Sequence, residues 1–139
     1  MQGYTIDRLE IGQKASFTKT VTETDVYLFA GITGDINPAH INEEYAKNTM
    51  FKQRIAHGMF SAGLISAVLG VYLPGPGTIY LGQTLKFLAP ILFGDTITAT
   101  VEILQIVAEK NRVVLKTTCT NADGKIVVEG EATVMPPKV

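Results

Sequence analysis

"HGMFSAGLISAVLGVYL", residues 57–73, limits what this chain can fold into more than any other stretch. It predicts a helix that is apolar on nearly every face, and such a helix has to be surrounded by protein. Its most apolar part, Met59 to Leu73, is about 15 residues and holds two serines. A membrane span needs ~20. A buried core helix is therefore expected, stopped by the turn "PGPGT" at Pro74 to Thr78.

What covers that helix comes later in the chain, where the period changes to two. "TITATV" (96–101) alternates Thr with Ile, Ala and Val and continues into Glu102 and Ile103. "RVVLKTTCT" (112–120) and "KIVVEGEATVM" (125–135) read as further strands, and "IYLGQTLKF" (79–87) supplies one before them. Asp123-Gly124 signals a hairpin, since both turn positions tolerate positive φ. Runs joined by such short turns make an antiparallel sheet. For the helix and the sheet both to bury their apolar faces, the sheet must curl around the helix. One sheet cannot hide a helix on all sides, so a second subunit is expected. The expected fold is a single α+β hot-dog domain over residues 1–139: a long antiparallel sheet wrapped around a central helix, dimeric.

The first half is helical in pattern. In "TVTETDVYLFAGITG", Thr22 and Asp25 stand in a capping-box arrangement, with Asp in place of the usual Glu. Val26, Phe29 and Ala30 form one stripe, and Gly31 and Gly34 mark its end. "INEEYAKN" reads as a short helix with Asn42 as N-cap and two glutamates in its positive first turn.

Composition removes several function classes. The 139 residues are 46% hydrophobic and 18% charged, with a net charge of −1 and no run of Lys or Arg. No electrostatic footprint for nucleic acid is present. Cys119 is the sole cysteine, which excludes an internal disulfide and a thiolate cluster. Within its alternating Val and Thr neighbours it is a small core hydrophobe. The opening "MQGYTIDRLE" lacks the basic start and apolar core of a signal peptide, so a cytosolic protein is expected, with no membrane partner.

"GDINPAH", residues 34–40, holds the first of only two histidines. Gly34 ends the preceding helix, and Pro38 fixes its own φ and pushes Asn37 out of the helical region. The chain between Asp35 and His40 is thus a stiff turn, able to hold a carboxylate and an imidazole at a fixed separation for acid–base work. Asp and Asn beside Gly and Pro also form turns by their own hydrogen bonds. Imidazole is not a turn residue and titrates near neutrality. Spacing alone favours the turn reading for Asp35 and Asn37, and with His40 weighed in the two readings of the pair are even. "AHGM" adds a second feature, because Gly58 begins the buried helix. The first helical N–H groups have no intrahelical partner, and glycine lets a ligand come close to them. A developing oxyanion would find a donor there.

"FAGITGDINPAHINEEYA" resembles the signature of the MaoC-like (R)-specific enoyl-CoA hydratases, supplying Phe29, Gly34, Asp35, Asn37, Pro38, His40 and Ala46. It departs at Ala39, where that family usually has a branched aliphatic residue. The resemblance continues through "RIAHGM", "LPGPGTIYLGQTLKFLAPILFGDTITATVEI" and "GEATV". It implies a hot-dog homodimer that reversibly adds water, syn, to a trans-2-enoyl-CoA thioester to give the (R)-3-hydroxyacyl thioester. Asp35 and His40 would be catalytic, and the Gly58 N–H would meet the thioester oxygen. No metal or redox cofactor is implied.

The family carries a serine at the position of Ser66, and Ser66, Leu69 and the signature's Asn37 are the candidates for binding substrate. Ser66 and Leu69, three apart on one helix face, would line the acyl pocket. The alternative for Ser66 is a bond to the Ala62 carbonyl one turn back, and for Ser61 a bond of that kind is expected. His57 would shape the loop that presents Gly58. A metal site of Asp35, His40 and His57 is conceivable in residue type, without support from the family. Lys52 and Arg54 are candidates for the CoA phosphates. Two other functions remain open: a hot-dog thioesterase, which attacks the carbonyl carbon, and a silent acyl-thioester binding module.

Overall fold

Alternating burial builds the sheet that the period-two stretches predict. The computed structural model describes residues 2–139. Its six strands are β1 (Lys14–Thr20), β2 (Ile79–Gln83), β3 (Lys86–Phe87), β4 (Thr96–Val107), β5 (Arg112–Thr120) and β6 (Ile126–Met135). They run antiparallel in the order β1-β4-β5-β6-β2, with β3 also on β6. Ile97, Ala99, Val101 and Ile103 of β4 and Val113, Leu115 and Cys119 of β5 are wholly buried. Burial pushes the Cys119 thiol up to about 12, so it stays protonated and acts as packing.

The four helices are α1 (Glu23–Thr33), α2 (Pro38–Ile41), α3 (Glu43–Ala46) and α4 (Gly58–Ala67). A π-helical turn, Val68–Tyr72, prolongs α4. Leu64, Ile65, Val68 and Leu69 face the sheet and join its core. The opposite face, with Met59, Gly63, Ser66, Gly70 and Val71, is exposed within one chain. One sheet does leave a side of the apolar helix uncovered. No helix among the described residues is long and apolar enough to cross a membrane.

Several local expectations need correction. β1 was not anticipated: Ala15 and Phe17 are its only apolar residues, and it is recruited by seven paired positions along β4. "IYLGQTLKF" is two strands rather than one, because Tyr80 to Gly82 carries a bulge and Thr84 and Leu85 leave the ladder. Gly31 lies inside α1, and only Gly34, at φ 82°, ends it. At the β5–β6 hairpin Gly124 alone has positive φ. Asn121 makes that turn, its Oδ1 accepting from the N–H groups of Asp123 and Lys125. The capping box is present in full: Thr22 accepts from the Asp25 N–H, and Asp25 from the Thr22 N–H. Asn42 caps α3 through the Tyr45 N–H.

Candidate active site

Residues 33–39 form a relay of side chains that bond the backbone two positions on. The Thr33 hydroxyl accepts from the Asp35 N–H (3.2 Å), Asp35 Oδ1 from the Asn37 N–H (3.3 Å) and Asn37 Oδ1 from the Ala39 N–H (3.1 Å). Asn37 thereby caps α2, and Pro38 sits in its first turn, where a missing N–H costs nothing. The stiff turn expected between Asp35 and His40 is thus partly helical. Its cap, Asn37, stands at φ −51° and ψ 124°, out of the helical region as the proline requires.

His40 lies in the last turn of that short helix and is buried. Its Nδ1 lies 2.7 Å from the carbonyl oxygen of Ile55. A carbonyl can only accept, so Nδ1 carries the proton and neutral Nε2 keeps a free lone pair. The Ile55 N–H returns a bond to the Ala39 carbonyl (3.2 Å), and the next residue, Ala56, donates to Ile91 (2.8 Å). His57 Nε2 donates to the backbone carbonyl of Asp35 (2.8 Å), and its ring stacks on His40 with centroids 3.8 Å apart. One carboxylate oxygen of Asp35 and one ring nitrogen each of His40 and His57 lie within 4.8 Å of one another. That spacing suits one water held between acid–base groups, and it would also suit a divalent cation.

Asp35, His40, His57 and Gly58 form one wall of a cavity of about 510 Å³. Met50, Met59, Phe87, Pro90, Ile91 and Val128 are among its apolar lining. Sequence reasoning did not single out these walls. Their mark is visible only in the folded chain, as large apolar side chains left exposed at Met50, Met59 and Phe87. Gly58 is the first residue of α4, so its N–H has no intrahelical acceptor. A Cβ there would meet the Phe87 ring at 2.8 Å, so a side chain would crowd the cavity wall.

The other candidates fall elsewhere. Leu69 is 1% exposed in the core and Ser66 is exposed on the uncovered face, so the two do not share an environment. Neither lines the cavity. Asn37 is exposed, with its side-chain oxygen engaged as a cap. The Ser61 hydroxyl makes no bond one turn back: it is buried without a partner against the sheet side of α4. Arg54 is not available to a phosphate. Its guanidinium bonds Glu23 (2.7 Å), Glu43 (2.8 Å) and the Tyr27 hydroxyl (2.6 Å) and lies over the Phe93 ring. Burial opposes its charge, but Glu23 and Glu43 outweigh that and raise its pKa further. Sequence spacing gave no sign of this clamp, whose members are scattered from residue 23 to residue 93. Lys52 stays exposed, at a positive φ of 61°.

Comparison with known proteins adds an independent line. An (R)-specific enoyl-CoA hydratase of Rhodospirillum rubrum is 64% identical over 126 residues, which is 91% of this chain and 87% of that protein. A 3-hydroxybutyryl-CoA dehydratase of Methylorubrum extorquens is 48% identical, covering 94% of this chain and 82% of that one. Among solved structures, an unliganded R-hydratase from Pseudomonas aeruginosa superimposes with a TM-score of 0.94 at 49% identity, over 99% of this chain and 88% of that chain. The (R)-hydratase of Aeromonas caviae gives 0.90 at 42%, over 93% and 98%. The profile of the MaoC like domain matches residues 8–125, a span that holds β1 to β5, the whole of the 33–58 segment and both histidines. With that match and these relatives, the chain belongs to the MaoC-like dehydratase family.

Proposed function

We propose that this protein is an (R)-specific enoyl-CoA hydratase, reversibly adding water to a trans-2-enoyl-CoA to give the (R)-3-hydroxyacyl-CoA. The observation that carries the reading is the Asp35 carboxylate, of which only Oδ1 is engaged, by the Asn37 N–H, and the free Nε2 of His40, close together on the wall of an apolar cavity. A water held between them loses a proton to Asp35 as its oxygen bonds the β-carbon. His40 orients that water and shares the proton. The α-carbon takes up a proton from the same pair, hence on the same face, which makes the addition syn. Meanwhile charge builds on the thioester oxygen, and the Gly58 N–H is the donor that meets it. A donor of this kind is worth roughly 3 kcal/mol in comparable sites.

The reaction needs no cofactor beyond the coenzyme A of its substrate, and no resident metal. The uncovered face of α4 and the exposed Leu81, Phe87 and Leu88 are the apolar surface on which a homodimer would form. Ser66, on that face, then acts only as that dimer completes the acyl site. The cytosol is the proposed compartment.

Crotonyl-CoA tests the reading. The expected result is loss of enoyl-thioester absorbance with formation of the (R)-alcohol, unchanged by prior treatment with a chelator. Release of free CoA would instead identify a thioesterase. Binding of acyl-CoA with no turnover would identify the silent binding module.

A further inference from the structure

His57 takes part in neither proton transfer, yet it touches both groups that do. Resting on the hydratase reading, we infer that His57 is the positioning residue that sets the separation of Asp35 from His40. It is 2% exposed, and its imidazole has two distinct uses. The Nε2–H holds the Asp35 backbone carbonyl at 2.8 Å, across 22 residues of sequence. The ring face lies on His40 at 3.8 Å between centroids, tilted by 28°. Phe29 packs against it as well, at 4.8 Å. Asp35 is therefore located from its backbone and His40 from its ring plane, both by one rigid side chain.

The placement of this histidine runs against local preference. It occupies the N-cap of α4, where Ser, Thr, Asp or Asn would accept from the helix, and its side chain makes no cap bond. Its Nδ1 is buried without a partner. Both features lower stability, and the contacts to Asp35, His40 and Phe29 offset them. Few side chains could make both contacts. Glutamine offers the N–H but no flat face, and phenylalanine offers the face but no N–H. Because His57 immediately precedes Gly58, the same residue also ties the oxyanion donor to the acid–base pair. A misplacement of about 1 Å in such a group can cost on the order of 10²-fold in rate.

Two variants separate the two uses, His57→Phe and His57→Gln, assayed on crotonyl-CoA beside the wild type with folding checked by circular dichroism. His57→Phe is expected to lower kcat about 10- to 100-fold at near wild-type KM. His57→Gln, which keeps the donor, should recover part of that loss. Both should retain the limbs of the wild-type pH–rate profile, since Asp35 and His40 are still present as the acid–base pair. Wild-type kcat in both variants, or a raised KM at unchanged kcat, overturns the inference. Loss of one pH limb overturns it too, by making His57 a proton-transfer group. If His57→Phe does not fold, His57→Gln decides alone: a several-fold lower kcat at wild-type KM supports the role, and wild-type kcat refutes it. A wild type that leaves crotonyl-CoA unchanged refutes the hydratase reading itself, a result distinct from all of these.

Discussion

The centre of the sheet and the segment from Thr33 to Gly58 are held by different physics. In β4 and β5 each inward side chain shares its burial with many apolar neighbours, and any ladder bond is one of a long series. In the 33–58 segment each restraint is single. One side-chain oxygen holds each alternate N–H, one carbonyl and one ring face hold His40, and one imidazole holds Asp35. Redundant burial makes a scaffold whose failure shows as lost stability. Singular bonds make a geometry whose failure shows as lost rate. The two regions should therefore respond to substitution in different observables.

The largest expected effect lies in the singular region. Asp35→Asn or His40→Gln should lower kcat by about 10²- to 10⁴-fold, the usual contribution of a general acid–base group. Thermal melting of Asp35→Asn should shift little, since Asp35 is exposed and the relay around it can persist with an amide. A melting transition that falls along with the rate would erase the distinction between the regions.

Leu115→Ala is the matching change in the sheet. Leu115 is wholly buried in β5, so its truncation should cost about 2–5 kcal/mol in denaturant unfolding. Activity per folded molecule should stay near wild type. A rate loss without a stability loss would show that the sheet shapes the site more directly than its packing implies.

Arg54 lies between the two regimes, and Arg54→Met sharpens the comparison. Its bonds join α1, α3 and the strand-to-strand loop at Phe93, so losing them should cost about 1–3 kcal/mol. The KM for CoA thioesters should not change, because the guanidinium is already engaged. A tenfold rise in KM would return Arg54 to the phosphates.

The smallest effect belongs to the cap of α1. Burial works against the Asp25 carboxylate, but the Thr22 N–H and the Lys19 ammonium outweigh it and hold its pKa below the usual value. A carboxyl whose folded pKa is depressed stabilises the fold above its unfolded pKa, and that contribution is lost as pH falls through the folded one. Asp25→Ala should cost about 1 kcal/mol at neutral pH. The difference from wild type should shrink in acid, as measured by urea unfolding at the two pH values.

The same division explains what could be read from residues alone. β5 and β6 were legible because Val113, Leu115 and Cys119 repeat one pattern against one partner. β1 was not, since "KASFTKT" owes its pairing to β4 rather than to its own apolar content. β4 runs past the expected Ile103 to Val107 because a bulge beside Leu104 resets the alternation, and no period anticipates a bulge. In the site, Asp35, His40 and Gly58 stood out through their types beside Gly and Pro. Their partners did not. The carbonyls of Ile55 and Asp35 are backbone atoms, carried by every residue alike, and nothing in the letters marks which will accept a bond from an imidazole. Arg54 was misread for the same reason: its partners meet only in the folded chain.

The measurement that tests this account most directly is crotonyl-CoA hydration by Asp35→Asn, His40→Gln and the double variant, with each protein's fold verified. Groups that grip one water act as a unit, so the double variant should be no slower than the slower single variant by more than a few-fold. Losses that multiply in the double variant would mean two independent contributions, and unimpaired hydration in either single variant would place the chemistry away from the Asp35–His40 pair.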